Sequence, residues 1–572
     1  MNKINAERIY ENYSIDIGGV NLKKMFIIIL ITICLFFVYF FFQIKSKPDK
    51  IAITYEGIQF YLDGRLYSLK DKENRVLEPF SYKDTVYLPV EEVSAITVNK
   101  ASISNKNILS IEYRETSEKS DIEKVKEEEK GRIVKPQRIT KTVRVEWVKG
   151  KIQKNDRDIV PESIENEKIE FLIIEGKYYL PFDIMAEAIE KEGVFSDDTK
   201  SVYFQDIEII EDSILNADEN IFSLERIDDI SKKWLDSYEF LDLRFIGESF
   251  EGRSIKSIVV DYEKDNFPEK EKILLISGIH AREDYSIMLN AQMLDRMLFH
   301  LTHSGYWGEF DLKDLFSKIE LHVILTANPD GLNIVNNGIS SSGNYNDLKK
   351  IPDMAGDHRW WKANARGVDL NRNFPDSSWD IRSSEGPASE GYKGEYAGSE
   401  PETKAIVDYC EENNFILSVS YHTSGNKIFW ADIGTHDIFN GIDSEIADKF
   451  ADLTGYEKLG ISQDPKTYGS GFENWFRENY QRPSFCVELS PYPGIEYVQH
   501  PNACFDSLVW KDAKYTGLSF MAEALKLRTQ MYDVYEKNHF KKTFYSKEEA
   551  IQYAQKSSLR EIRYRDQAVW ER

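Results

Sequence analysis

The chain has 572 residues, 41% hydrophobic and 30% charged, with a formal net charge of −24. That length exceeds one ordinary core, so roughly two to four folded units are expected. The acidic balance disfavours nucleic acid or an anionic membrane face as a partner for the whole chain.

Residues 25–42 are uncharged and interrupted only by Thr32. As a helix this run is about 27 Å long, enough to span a hydrocarbon core. It predicts a transmembrane anchor over 25–43, preceded by a short cytoplasmic segment, 1–24. A cleaved signal peptide would need small residues near the end of the run, where Phe40-Phe41-Phe42-Gln43 stands. A lipoprotein signal would want a small residue before Cys34, where Ile33 stands. Lysines flank both ends, so the basic-residue rule does not set the orientation. The short leading segment is the easier one to leave inside, which places the larger part outside. The expectation is a single-pass cell-membrane protein with its large C-terminal part extracytoplasmic, held to the membrane by this helix.

Residues 51–210 hold a repeat: Tyr87-Leu88-Pro89 aligns with Tyr179-Leu180-Pro181. Each follows strand-like alternation and precedes a short helical pattern and a further strand, Ile108–Tyr113 and Ser201–Phe204. Two small β-rich α+β units, 51–114 and 141–210, are therefore expected. A chance match of Tyr-Leu-Pro is the alternative. The order of elements resembles stalk modules related to the N-terminal domain of copper amine oxidases. Residues 115–140 are dense in Glu and Lys and read as a solvated linker.

From 215 to 535 longer helical stretches alternate with apolar strands. Strands are predicted at Ile255–Val260, Ile273–Gly278, Leu321–Thr326, Ile416–Tyr421 and Phe485–Leu489. Helices are predicted at Ser286–Leu301, Pro401–Asn413, Ser444–Thr454 and Trp510–Tyr535. This alternation implies an α/β fold, a mixed and mostly parallel twisted sheet flanked by helices. The end, 541–572, reads as a small appended unit, opened by the capping box Ser546-Lys547-Glu548-Glu549, with a frayed tail as the alternative.

The four cysteines, Cys34, Cys410, Cys486 and Cys504, form no close pair, so neither a disulfide framework nor a thiolate zinc site is legible. All nine histidines lie between His280 and His539, so histidine chemistry belongs to the second half.

Three strand endings carry that chemistry. Leu274-Leu275-Ile276-Ser277-Gly278 delivers His280 and Glu283 just past an apolar run, the part of an open α/β sheet where sites gather. Ser418-Val419-Ser420-Tyr421 ends in His422. In Phe485-Cys486-Val487-Glu488-Leu489 a carboxylate interrupts an apolar strand, and buried carboxylates are rare without a reason. Taken singly, each also reads as a core histidine on a backbone carbonyl or a Glu paired with an Arg.

Together with Asn328-Pro329-Asp330-Gly331 and Gly367-Val368-Asp369-Leu370-Asn371-Arg372-Asn373, these stretches resemble the zinc carboxypeptidase family in type and order. Ile246–Arg253 and Ser399–Thr403 support the match. The resemblance implies one zinc held by His280, Glu283 and His422, with Glu488 as general base. Two imidazoles and a carboxylate are the ligand set given for carboxypeptidase A among open catalytic zinc sites. It also implies that Arg372, helped by Asn371, holds a substrate carboxylate.

Three departures follow. Lys362 stands where the digestive carboxypeptidases have an oxyanion-stabilising Arg, a point charge in place of a planar fork. Tyr468 takes the place of the tyrosine near the substrate carboxylate, at a shorter distance from Trp475. Glu473 falls at the position that shapes the specificity pocket, where an acid favours an amino-bearing side chain; a solvent-facing helix Glu is the alternative.

The tract Trp361–Asn371 is most similar to the bacterial branch containing γ-D-glutamyl-diaminopimelate peptidases. A peptide or peptidoglycan stem-peptide substrate is implied. The rival expectations are trimming of protein C-termini, ordinary or basic, and an inactive wall-binding protein.

Overall fold

The computed structural model describes residues 57–205 and 223–571, apart from 83–84, 98–99, 105–107, 118–136, 149–150, 155–156, 160–171, 175–176, 190, 267–269, 352–356, 382–383, 496–497 and 565–566. The anchor predicted over 25–43 lies outside these residues. Among the described residues no helix is long and apolar enough to cross a membrane. This corrects the expectation of a single-pass membrane protein with its catalytic domain outside. Even the 19-residue helix Asp284–Thr302 carries Asp284, Asp295, Arg296 and His300 and is a core helix, not a span.

The two N-terminal repeats do not fold as separate units. Strands Gln59–Leu62 and Arg65–Tyr67 of the first share a sheet with Glu192–Ser196 and Ser201–Gln205 of the second. A second sheet joins Phe80–Tyr82 and Thr85–Pro89 to Leu172–Ile174 and Lys177–Pro181. There the two Tyr-Leu-Pro motifs pair antiparallel, with Leu88 opposite Leu180 and Tyr87 opposite Pro181. Each repeat alone would leave apolar sheet edges open, and exchange of strands closes them. One core results, with Phe60, Leu88, Val93, Leu180, Ile184 and Phe204 in it. Between the two halves of this domain runs a five-stranded antiparallel sheet, from Lys100–Ser104 to Arg157–Ile159.

The second half is built on an eight-stranded mixed sheet. Its strands are β1 (Leu241–Glu248), β2 (Ser254–Val260), β3 (Glu271–Ile276), β4 (Ile319–Ile324), β5 (Leu417–Thr423), β6 (Lys427–Phe429), β7 (Glu457–Lys458) and β8 (Ser484–Leu489). They lie in the order β1-β2-β4-β3-β5-β8-β6-β7. The four central strands β4, β3, β5 and β8 are mutually parallel, and the edges turn antiparallel. Strands β4 and β5 are buried along their whole length, because helices cover both faces.

Helices α1 (Leu224–Ser237), α2 (Asp284–Thr302), α3 (Pro329–Asn337), α4 (Pro401–Asn413), α5 (Ile442–Thr454), α6 (Phe472–Tyr480) and α7 (Thr516–Arg528) surround it. Helix α7 stops earlier than the predicted Tyr535. The chain there forms strand Tyr532–Glu536, which pairs with His539–Phe544 and Arg560–Tyr564 in a four-stranded C-terminal sheet backed by helix Lys547–Ala554. The appended unit therefore begins near residue 532, not 541. The fully buried Arg482 fastens it to the eight-stranded sheet region, donating to the Asn414 and Phe415 carbonyls and to Thr543 while facing Asp533.

Candidate active site

Parallel strands β3, β5 and β8 deliver their side chains to one end of the sheet. After β3 the chain turns at Gly278, where φ is +62° and a Cβ would lie 2.9 Å from the Thr326 Cα. Only glycine meets both conditions without strain. The turn carries His280 and Glu283 to the start of α2. His422 on β5 and Glu488 on β8 are register partners, side by side across two strands.

Asn328 locks this end from the neighbouring strand. Its side chain caps α3 through the Gly331 N–H at 2.9 Å and donates to the Ala363 and Ile279 carbonyls. The Lys362 carbonyl accepts from the Ala281 N–H. Asp330 ties in the Ile246–Arg253 turn, accepting from Ser249, the Glu251 N–H and Arg253.

His280, Glu283 and His422 are buried, and their donor atoms lie within 4.8 Å of one another. Glu283 Oε1 is 2.9 Å from His280 Nδ1, and Oε2 is 2.9 Å from His422 Nδ1. The two Nδ1 atoms are 3.0 Å apart. His280 Nε2 meets the buried Asp369 carboxylate at 3.0 Å, which leaves Nδ1 as the ring nitrogen that faces Glu283 and His422. Two imidazole nitrogens and a carboxylate converging on one point match the donor set and the carboxylate-buttressed histidine of a zinc site. These residues fit the metal.

The electrostatics separate the two glutamates. Burial alone would raise Glu283, but the charges of His280, Lys362 and His422 outweigh it and hold the carboxyl well below its ordinary range. Glu488 is pushed up to about 7, by burial first and then by the charge of Glu283. Glu488 Oε2 finds no hydrogen-bond partner among the described residues.

A cleft of about 100 Å³ opens beside the triad, lined by His280, Lys362, Asn371, Arg372, Tyr468, Glu473 and Glu488, with Arg477 and Cys486 deeper in. All nine candidate residues are thus in this cleft or directly against it. Lys362 Nζ stands 3.4 Å from Glu283 Oε1. Arg372 donates one guanidinium N–H to the Asn371 carbonyl, and its buried Nε has no partner among the described residues. Asn371 Oδ1 is taken up by the Phe472 N–H at 2.8 Å, so this residue braces α6 as well as lining the cleft. Tyr468 is 41% exposed at the rim, its ring packed on Phe429. Glu473 is buried in the first turn of α6, not solvent-facing, and its Oε2 is also without a partner among the described residues.

Asp369 is the functional residue the sequence reading left without a role. The available signal was a carboxylate between apolar Val368 and Leu370, a position that demands a buried partner. Burial opposes its ionisation, but His280 and then Arg372 hold it below the usual carboxylate range.

Comparison with known proteins meets this geometry. Residues 232–503 match the family model described as zinc carboxypeptidase. The chain is 28% identical over 296 residues to the gamma-D-glutamyl-L-diamino acid endopeptidase 1 of Lysinibacillus sphaericus, covering 50% of this chain and 70% of that protein. It is 30% identical over 191 residues to the carboxypeptidase B of Helicoverpa zea, covering 32% and 39%. Among solved structures, bovine thrombin-activatable fibrinolysis inhibitor in complex with tick carboxypeptidase inhibitor aligns with 53% of this chain and 97% of that one, at 18% identity and a TM-score of 0.42.

Proposed function

From the premise that residues 232–503 are a zinc carboxypeptidase domain, which makes the chain a zinc metallopeptidase, we propose that it hydrolyses the amide between a γ-D-glutamyl group and a diamino acid in peptidoglycan stem peptides. The observation that carries this reading is a pair of unsatisfied charged atoms in one cleft. Among the described residues Arg372 Nε lacks an acceptor and Glu473 Oε2 lacks a donor. A residue bearing both a carboxylate and an amino group, as diaminopimelate does, satisfies both. The likeness to an endopeptidase named for this bond supports it.

His280, Glu283 and His422 would hold the zinc. When bound, zinc supplies Lewis acidity at the scissile carbonyl and lowers the pKa of the attacking water. Glu488 takes the water proton and returns it to the departing amine, a role suited to a carboxyl with a raised pKa. Arg372 clamps the substrate carboxylate through its fork. Lys362 places a positive charge beside the reacting carbonyl, and Tyr468 closes the rim. Asp369 fixes the His280 tautomer and ring.

A second reading, removal of basic residues from protein C-termini, is favoured by the same Glu473 and Arg372, since a C-terminal Lys also carries both groups. Product analysis separates the two. Purified, zinc-loaded protein is incubated with a γ-D-glutamyl-diaminopimelate tripeptide and with a peptide ending in Lys. Cleavage of the γ-D-glutamyl bond is expected; release of free Lys with an intact stem peptide would sink the first reading.

A further inference from the structure

The segment Gln499–Ser507, which follows β8, faces two ways. Toward the site, Gln499 Oε1 accepts from the Thr423 hydroxyl at 2.7 Å, and the Thr423 N–H in turn donates to Glu283 Oε2 at 3.2 Å. Two residues on, the Pro501 carbonyl accepts from the Tyr285 hydroxyl at 2.6 Å and Asn502 donates to Asp284 at 3.1 Å. The segment thus grips Asp284 and Tyr285 directly and reaches Glu283 through Thr423. Toward the other side, His500, Ala503 and Ser507 meet the N-terminal domain. Gln205 donates to the Ala503 carbonyl at 2.6 Å and accepts from the Ser507 hydroxyl at 2.8 Å. The Gly64 turn is pressed so close that a Cβ would lie 1.9 Å from the Ser507 carbonyl oxygen.

His500 forms the centre of this seam. Its Nε2 faces the Pro491 carbonyl at 2.9 Å, so the proton sits there, and Nδ1 accepts from the Tyr203 hydroxyl at 2.8 Å. Tyr61 stacks on Tyr203, and both rings meet the imidazole edge-on. Burial, only partly opposed by Pro491, pushes His500 down to about 4, which keeps the ring neutral and this pattern of donors fixed.

We infer that the N-terminal domain is a working part of the catalytic unit, in which Gln499 is a positioning residue that orients Thr423 and through it the zinc ligand Glu283. The strand-swapped repeats hold the segment that carries Gln499, through Tyr203 on His500, Gln205 on Ala503 and Ser507, and Gly64 against Ser507. This rests on the reading of His280, Glu283 and His422 as the metal site.

The test is the zinc dissociation constant of the full chain, measured by chelator competition, alongside turnover. Gln499→Leu and Thr423→Val should weaken zinc binding by ~10-fold or more, the scale of lost outer-shell support. Thr423→Ser, which keeps the hydroxyl, should retain wild-type affinity. In the N-terminal domain, Gly64→Val and the milder Tyr203→Phe should weaken binding in the same direction. Lys177→Ala, which removes an ion pair with Glu92 away from the seam, should leave it unchanged. Folded Gln499→Leu and Tyr203→Phe proteins with wild-type affinity would overturn the inference. A wild-type chain that binds no zinc would instead overturn the metal-site reading on which it stands.

Discussion

Glu283 and Glu488 lie in the same site, yet one is held ionised by its neighbours and the other is pushed toward neutrality by burial. Divergence of this kind assigns roles to paired carboxylates. The base form of Glu488 exists above its pKa, so turnover should fall as pH drops through that value. The acid limb of kcat/KM is expected above the ~4.3 of an ordinary Glu; a profile flat down to that range would contradict it. Glu488→Gln should keep zinc and lose turnover on the order of 10²–10⁴-fold, as measured on a stem tripeptide. Asp369→Asn replaces a carboxylate with an amide beside His280 and should cost ~10–100-fold in zinc affinity by chelator titration. At this scale much of the site was legible, because His280, His422 and Glu488 each interrupt or end an apolar strand. The contacts of Asp369 and Gln499 were not, since their partners, His280 and Thr423, lie far along the chain and only folding brings them close.

Single elements depend on local conditions that the sequence states unevenly. Helix α4 begins at Pro401 and ends at Asn413, as its pattern predicts, with Asn414 in the left-handed conformation closing it. The helix expected over Trp510–Tyr535 ends at Arg528, because a helix and a strand look alike over the few residues that follow. Pairing with the C-terminal hairpins decides that Tyr532–Glu536 is a strand. Gly278 offers the cleanest test of how β3 feeds the site. Gly278→Ala forces a Cβ into the Thr326 backbone at a positive φ and should destabilise the fold by about 1–3 kcal/mol in denaturant unfolding.

At the scale of the molecule, three parts among the described residues are joined through buried polar contacts. Arg482 binds the C-terminal sheet to the catalytic half, and Arg482→Ala should cost on the order of 3 kcal/mol by leaving the Asn414 and Phe415 carbonyls without their donor, while Asp533 keeps Arg528 and Thr543. The α/β class and the order of the central strands follow from apolar periodicity. The strand exchange between the N-terminal repeats does not, because each motif is compatible with pairing inside its own repeat. What unites these parts is a zinc site whose ligands come from two strand ends and whose supports come from across the chain. Metal analysis of the purified full chain tests that most directly. About one zinc per chain is expected, lost in His422→Ala while the fold persists. A wild-type chain without zinc, or a His422→Ala chain that retains it, would contradict the account.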